Sequence, residues 1–309
     1  MTATTITEMA PAKVNLYLRI CGRRDDGYHL LDSAVIFTAF GDQISLTPAT
    51  TDSLTITGAF ASTLNDEYAV DSDASNSNPT PNLPTQNLCM RALTAFRDAG
   101  GNIAPIAITL DKQIPVGAGL GGGSADAAAM LRALNAYADK PVTATTLEAI
   151  AARLGADVPA CLRAHTLRMT GIGDQITALT LADDKISDAD NAAAMPVSIL
   201  LANPLIPLAT KDVFTHLDNN GHGSAGDISQ LAAPALARIG NDLADTAIRL
   251  VPEIASLLRL LQQQRGCQIA AMSGSGASCF ALFDTATACH HAEAILRKSG
   301  IWAKATHII

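Results

Sequence analysis

The residues best suited to do chemistry lie in the middle of the chain. The run Pro115-Val116-Gly117-Ala118-Gly119-Leu120-Gly121-Gly122-Gly123-Ser124-Ala125 places five glycines within seven positions and leads directly into an alanine-rich segment expected to be helical over residues 124–138. Glycine lets the backbone turn sharply and approach a ligand with no Cβ in the way. The first turn of a helix offers unpaired N–H groups and the positive end of the helix dipole, a combination that suits a phosphate. A merely flexible surface loop is the alternative, but such loops rarely run into so strong a helix start.

Known phosphate-binding patterns narrow the choice. No Gly-Lys-Ser/Thr follows the glycines, so the run is not a Walker A loop. Gly117, Gly119 and Gly122 satisfy G-x-G-x-x-G, yet a dinucleotide fold needs a strand after the following helix. Here a second helix follows instead: Thr145 and Glu148 read as a capping box, Leu147, Ile150, Ala151 and Leu154 recur at helical spacing, and Gly155 reads as the stop. Neither H-R-D nor D-F-G occurs, which excludes a protein kinase.

Composition sets the frame. The 309 residues, 48% hydrophobic and 16% charged, describe a compact two-domain protein with an aliphatic core. A net charge of −8 argues against general affinity for nucleic acid or anionic membrane, so a phosphate site must be made locally positive. With no signal peptide and no membrane-length apolar run, a cytoplasmic location is expected. The six cysteines show no C-x-x-C spacing and read as reduced core residues. Cys289-His290-His291 reads as part of a helix face, and no structural metal is expected.

The elements that must position the loop follow from hydropathy patterns. Residues 12–20 alternate, with Val14, Leu16, Leu18 and Ile20 on one face and Lys13, Asn15, Tyr17 and Arg19 on the other, a strand with one buried side. A turn at 22–27, an apolar run at 30–40 and strand-like stretches at 43–47 and 54–57 come next. Residues 61–86 read as a polar surface excursion. A helix over 87–99, a strand over 103–110, and a polar break over 182–196 are followed by a strand at 197–202. Helical segments beginning at Ile228 and Ala244 then precede a hairpin of 268–272 and 278–283 joined by Ser273-Gly274-Ser275-Gly276. A helix at 286–298 and a strand at 303–309 close the chain. Interleaved elements without a regular βαβ rhythm point to an α+β fold.

Three separated segments, Pro11-Ala12-Lys13-Val14-Asn15-Leu16, the glycine run and Ser273-Gly274-Ser275-Gly276, resemble in order and spacing the three motifs of the GHMP kinases. Gly27-Tyr28-His29-Leu30 and Leu154-Gly155-Ala156-Asp157-Val158-Pro159 sharpen the likeness to the branch that phosphorylates a diphosphocytidyl methylerythritol in the non-mevalonate route to isoprenoid precursors. The resemblance implies a ribosomal-protein-S5-domain-2-like N-terminal domain (1–162), a ferredoxin-like C-terminal domain (163–309) and an active site between them. It implies transfer of the γ-phosphate of ATP, with Mg²⁺, to the 2-hydroxyl of that substrate by a cytoplasmic enzyme, monomeric or homodimeric. Homoserine or mevalonate kinases and a non-catalytic nucleotide-binding regulator are the alternatives.

Residue roles follow from the same likeness. Asp157 matches the catalytic base and Lys13 the catalytic lysine; read locally, Asp157 is equally a helix N-cap and Lys13 equally a solvated strand lysine. Residues 115–125 would hold the phosphates, with Ser273, Gly274, Ser275 and Gly276 in support, and Asn87 and Lys112 would contact adenine. Asn87 could equally cap the helix it starts. Tyr28 and Phe214 would flank the cytosine, His29 would read its polar edge, and Asn15 and Thr210 would add hydrogen bonds. No protein ligand for Mg²⁺ is assigned beyond a contribution from the Ser124 hydroxyl. The chain departs from the family's Gly-x-Gly-Glu with Gly171-Ile172-Gly173-Asp174.

Overall fold

The structure is a computed structural model that describes residues 5–68, 87–182, 197–217 and 223–309. It is α+β, as the interleaved pattern predicts, and divides into two compact units that do not follow a single cut in the sequence. One comprises Met1–Pro11, Gly41–Val116 and Gly122–Arg163; the other comprises Ala12–Phe40, Gly117–Gly121 and Ala164–Ile309. The last stretch of the first unit ends at Arg163, and that of the second begins at Ala164. The reason for the remaining crossings is length: strands β1 (Ile6–Arg23) and β2 (His29–Pro48) each serve both units.

In the first unit the end of β2 pairs antiparallel with β4 (Ile106–Asp111), and β3 (Ser53–Thr57) pairs parallel with β4 on its other edge. Ile106, Ile108 and Leu110 alternate inward from β4, the period-two burial of a sheet with one covered face. Helices α2 (Leu88–Asp98), α3 (Gly122–Tyr137), α4 (Ala144–Leu154) and α5 (Val158–Arg163) pack on one another. The run Ala125–Leu131 of α3 is buried on every side, and its alanines let neighbouring helices approach closely. Helix α1 (Ala61–Tyr68) replaces the start of the expected polar excursion; the rest of that segment, and residues 183–196, lie outside the described residues.

In the second unit the first half of β2 pairs with β5 (Leu167–Gly171), which forms a hairpin with β6 (Gln175–Ala178) around Gly173 and Asp174. This hairpin has no counterpart in the sequence expectation, because its strands are short and β6 is mostly exposed. A separate antiparallel sheet runs β10 (Trp302–His307), β7 (Ser198–Asn203), β9 (Cys279–Phe283), β8 (Cys267–Met272). Its inner strands β7 and β9 are buried throughout, and α9 (Glu253–Gln262) and α10 (Ala286–Lys298) cover it. The intervening helices α6 (Thr210–Thr215), α7 (Ala233–Ala237) and α8 (Ala244–Leu250) are short; the expected helix from Ile228 begins five residues later, at Ala233.

Other expectations need correction. β2 is one strand through Gly41-Asp42, not two, because Gly41 lets the Ala10 carbonyl of β1 lie where a side chain would stand. The cap of α4 is Thr143, whose hydroxyl accepts from Thr146 N–H, instead of the Thr145–Glu148 box. Gly155 ends α4 in extended backbone (φ 172), not the left-handed cap that a terminal glycine suggests. All six cysteines are free, and Cys289 faces the core of α10 while His290 faces out beside Glu293. No helix among the described residues is long and apolar enough to cross a membrane.

Candidate active site

The glycine run is held by its carbonyls. Within the second unit the Ala118 carbonyl accepts from Ser278 N–H (3.2 Å), that of Gly119 from the Ser273 hydroxyl (3.2 Å), and that of Leu120 from Lys13 N–H (2.9 Å). The N–H groups of Gly119, Leu120 and Gly121 donate to no group among the described residues. Gly117, Gly119 and Gly121 all have positive φ (64°, 72°, 65°), while Ala118 and Leu120 between them do not. That alternation of backbone handedness builds a concave array of amides suited to an anion. The run then enters α3 at Gly122, two residues earlier than expected, with no acidic side chain in the first turn to oppose a phosphate.

Two neighbours press on this loop. A Cβ on Gly119 would stand 2.6 Å from the Gly276 carbonyl oxygen and 2.8 Å from that of Ser273, so glycine is required where the loop meets the β8–β9 turn. That turn is closed by Gly276 N–H to Ser273 O and by Asn241, whose amide donates to the Met272 and Gly274 carbonyls. Ser273, Gly274 and Gly276 of this turn thus lie against the glycine run, and Asn241 is a partner of the turn that no sequence signal marked. A Cβ on Gly121 would stand 3.1–3.5 Å from Cβ, Cδ and Cε of Lys13.

Lys13 is thus no solvated strand lysine: it is 5% exposed, and its stem runs along the glycine loop. Asn15 and Tyr17, on the same face of β1, are buried too. The expected polar face of this strand is covered by Gly121, Ser273, Ser33 and Asp32. Buried polar groups need partners. Asn15 N–H donates to the Ser273 hydroxyl, and the Tyr17 hydroxyl donates to Asp32.

Asp32 is a heavily bonded carboxylate of the second unit. It accepts two bonds from Arg168 (2.8 and 2.7 Å) and others from the Tyr17 hydroxyl, the Ser224 hydroxyl and Ala225 N–H. Burial works to raise its pKa, but these donors outweigh it and hold the carboxyl down at about 2. The same burial, with Asp32 adjacent, pushes the Tyr17 phenol up.

In the first unit Lys112 has a duty the sequence did not suggest. Its ammonium is buried between Asp42 (2.5 Å) and Asp126 (2.7 Å), and Asp42 also accepts from Gln113 and Ile114 N–H. An ideal Cβ on Gly122 would stand 3.0 Å from the Lys112 Nζ, so this cation lies beneath the first turn of α3. Burial opposes its charge, yet the two carboxylates raise its pKa. Burial pushes that of Asp126 up. The expected adenine contact from Lys112 therefore does not have a free ammonium to use. Asn87 caps α2, its Oδ1 accepting from Cys89 N–H (2.8 Å). Ser124, in the first turn of α3, has a half-buried hydroxyl bonded to nothing among the described residues.

Asp157 immediately precedes α5, and its carbonyl accepts from Cys161 N–H at 3.0 Å, the backbone position of an N-cap. Arg132 on α3 holds the far end of α5 through the Cys161 carbonyl and ties it to Glu8 and the Met9 carbonyl. Among the residues expected to meet a base, His29 and Phe214 pack with ring centroids 5.1 Å apart at 35°. Tyr28 is 62% exposed. Burial, then Arg23, lowers the pKa of His29. The Thr210 and Ser275 hydroxyls bond at 2.8 Å, bringing together a residue expected at the substrate and one expected at the loop.

Comparison with known proteins identifies the family. Residues 87–165 match the GHMP kinases N terminal domain and residues 223–300 the GHMP kinases C terminal domain. The chain belongs to the GHMP kinase family and has its two-domain fold. It is 40% identical to the 4-diphosphocytidyl-2-C-methyl-D-erythritol kinase of Agrobacterium fabrum (96% of this chain, 93% of that protein) and 39% identical to that of Rhizobium etli (94% and 90%). A crystal structure of 4-(cytidine 5'-diphospho)-2C-methyl-D-erythritol kinase superposes with a TM-score of 0.74 at 30% identity over 98% of this chain and 99% of that one. Homoserine kinase from Cytophaga hutchinsonii (TM-score 0.60, 18% identity, covering 99% and 94%) shares the fold.

Proposed function

We propose that this chain transfers the γ-phosphoryl group of ATP to the 2-hydroxyl of 4-diphosphocytidyl-2-C-methyl-D-erythritol, releasing ADP and the 2-phosphate, as a step in the non-mevalonate route to isoprenoid precursors. The observation that carries this reading is identity of about 40% along nearly the whole chain with kinases of that name. The homoserine kinase likeness, at 18% identity, speaks only to the fold.

In this reading the amides of residues 117–121 and the first turn of α3 hold the phosphates, and Lys13 stabilises the charge that gathers on the transferring group. Asp157 takes the proton of the 2-hydroxyl as its oxygen bonds to phosphorus and the bond to the ADP oxygen breaks. A positioned carboxylate also orients the hydroxyl whose proton it accepts, so Asp157 serves in both capacities. Asn87 lies at the adenine end, and Lys112 acts there through the backbone it anchors. Tyr28, His29 and Phe214 receive the cytosine, with Asn15 and Thr210 adding hydrogen bonds; stacking on such rings contributes roughly 1–3 kcal/mol per base.

Mg²⁺ favours one or two protein oxygens plus phosphates. The Ser124 hydroxyl, at the start of α3 and without a protein partner among the described residues, fits that requirement. When bound, the ion neutralises charge on the nucleotide phosphates. An ADP-release assay with the diphosphocytidyl alcohol, mevalonate and homoserine tests the proposal. Turnover confined to the first is expected, and turnover of either other alcohol in its place would overturn the reading.

A further inference from the structure

We infer that Ser33 is a positioning residue: it sets the side-chain amide of Asn15 so that a single hydrogen-bond acceptor, Asn15 Oδ1, is presented to a hydroxyl of the alcohol substrate. The inference rests on the reading of the site given above and deepens it. Asn15 is 4% exposed and held at its backbone by the Ser273 hydroxyl (3.1 Å). Its side chain meets Ser33 Oγ at 2.8 Å, and Ser33 Oγ meets the Tyr17 carbonyl at 2.5 Å.

A serine hydroxyl has one proton to give. The Tyr17 carbonyl can only accept, so the Ser33 proton goes there, and Ser33 can then only accept from Asn15. The Asn15 group facing Ser33 must therefore be its NH₂, which determines an amide orientation that heavy-atom positions alone leave ambiguous. Asn15 Oδ1 is turned the other way, where an ideal Cβ on Gly274 would stand 3.5 Å from it. It is buried and has no partner among the described residues. Buried acceptors are seldom left unpaired, and where they are a missing ligand is a standing explanation.

The missing partner must be a donor. Phosphate oxygens and carbonyls are excluded by repulsion between acceptors, whereas a hydroxyl fits. Asn15 projects from the same face of β1 as Lys13, two residues away, which puts this acceptor beside the residue assigned to the transferring phosphoryl group. The hydroxyls of the methylerythritol portion are the donors that belong there. The resulting relay runs from substrate hydroxyl to Asn15 Oδ1, from Asn15 NH₂ to Ser33, and from Ser33 to the Tyr17 carbonyl.

The test uses the full chain with the diphosphocytidyl alcohol and its 1-deoxy and 3-deoxy analogues, and with 2′-deoxy-ATP as a control. For wild type, kcat/KM is expected to fall at least ~10-fold for one deoxy alcohol and to stay unchanged for 2′-deoxy-ATP. In Ser33→Ala that deoxy penalty should shrink to less than ~3-fold while KM for ATP holds, and Ser33→Thr should restore it. An undiminished penalty in Ser33→Ala, or a penalty that appears with 2′-deoxy-ATP instead, would overturn the inference. Should Ser33→Ala fail to fold, the wild-type comparison alone decides: equal kcat/KM for the parent and both deoxy alcohols removes the acceptor role. Absence of any turnover of the parent alcohol would instead strike the functional reading, and this inference with it.

Discussion

The stem of Lys13 fills the space into which a side chain on Gly121 would project, with Lys13 Cβ 3.1 Å and Cε 3.2 Å from an ideal Cβ there. Gly121 also has φ 65°, where a Cβ is strained by about 1–2 kcal/mol. Gly121→Ala should therefore displace the lysine as well as strain the loop. We expect kcat/KM to fall ~10–100-fold with only a small loss of thermal stability. A variant with wild-type kinetics would show that Lys13 tolerates relocation.

Asp157→Asn should bind both substrates normally and turn over at least ~100-fold more slowly, the size typical of losing a positioned base. Lys13→Met should behave alike. Pre-steady-state measurement of the phosphoryl-transfer step separates these effects from product release. An unchanged transfer rate in either variant would remove that residue from the chemistry.

Asp32 lends stability with a definite pH signature. Its carboxyl sits at about 2 in the folded chain against 3.8 ordinarily, so the folded state binds fewer protons than the unfolded one between those values. The stabilisation, about 2 kcal/mol, is present above pH 4 and lost as pH falls towards 2. Urea unfolding from pH 5 to 2 should show the loss. Arg168→Met, which strands the buried carboxylate, should cost roughly 3–5 kcal/mol at pH 7; a cost below ~1 kcal/mol would mean that the other donors suffice.

Asp126 carries the opposite sign. Its folded pKa is raised, chiefly by burial, so the folded chain holds this proton to higher pH than the unfolded chain and loses stability as pH rises above the usual carboxylate range. Asp126→Asn should flatten this decline while Asp42 keeps Lys112 paired. Parallel stability curves for the two proteins between pH 4 and 8 would contradict the assignment.

Features with a local cause could be read in the chain. Alternating apolar residues announced β1, and short apolar runs announced the β8–β9 hairpin and the last strand. The glycine run announced a loop whose backbone needs positive φ, because no other residue takes that conformation cheaply. Tertiary causes left no such trace. Asp32 and Arg168 are 136 residues apart, and Asp42 and Lys112 are 70 apart, so neither ion pair has a spacing to recognise. Gly41 looked like a strand break, yet it is there for the Ala10 carbonyl. The polar face of β1 looked solvated because the residues that cover it come from Ser33, Gly121 and Ser273. The roles of Lys13 and Asp157 came from likeness to a family, since composition and periodicity left each with an ordinary alternative.

The glycine loop leans on a turn made much later in the chain, and that has a consequence for biosynthesis. The Gly119 carbonyl waits for a hydroxyl 154 residues downstream, and the Asn15 amide for one 258 residues downstream. At ~5–20 residues per second, a ribosome takes roughly 8–30 s to supply Ser273 after Gly119 has emerged. Until then the nascent polypeptide carries an unsupported glycine loop and an unsealed β1. Such non-local closure folds slowly, so chaperone protection during translation matters more for this unit than its final stability would suggest.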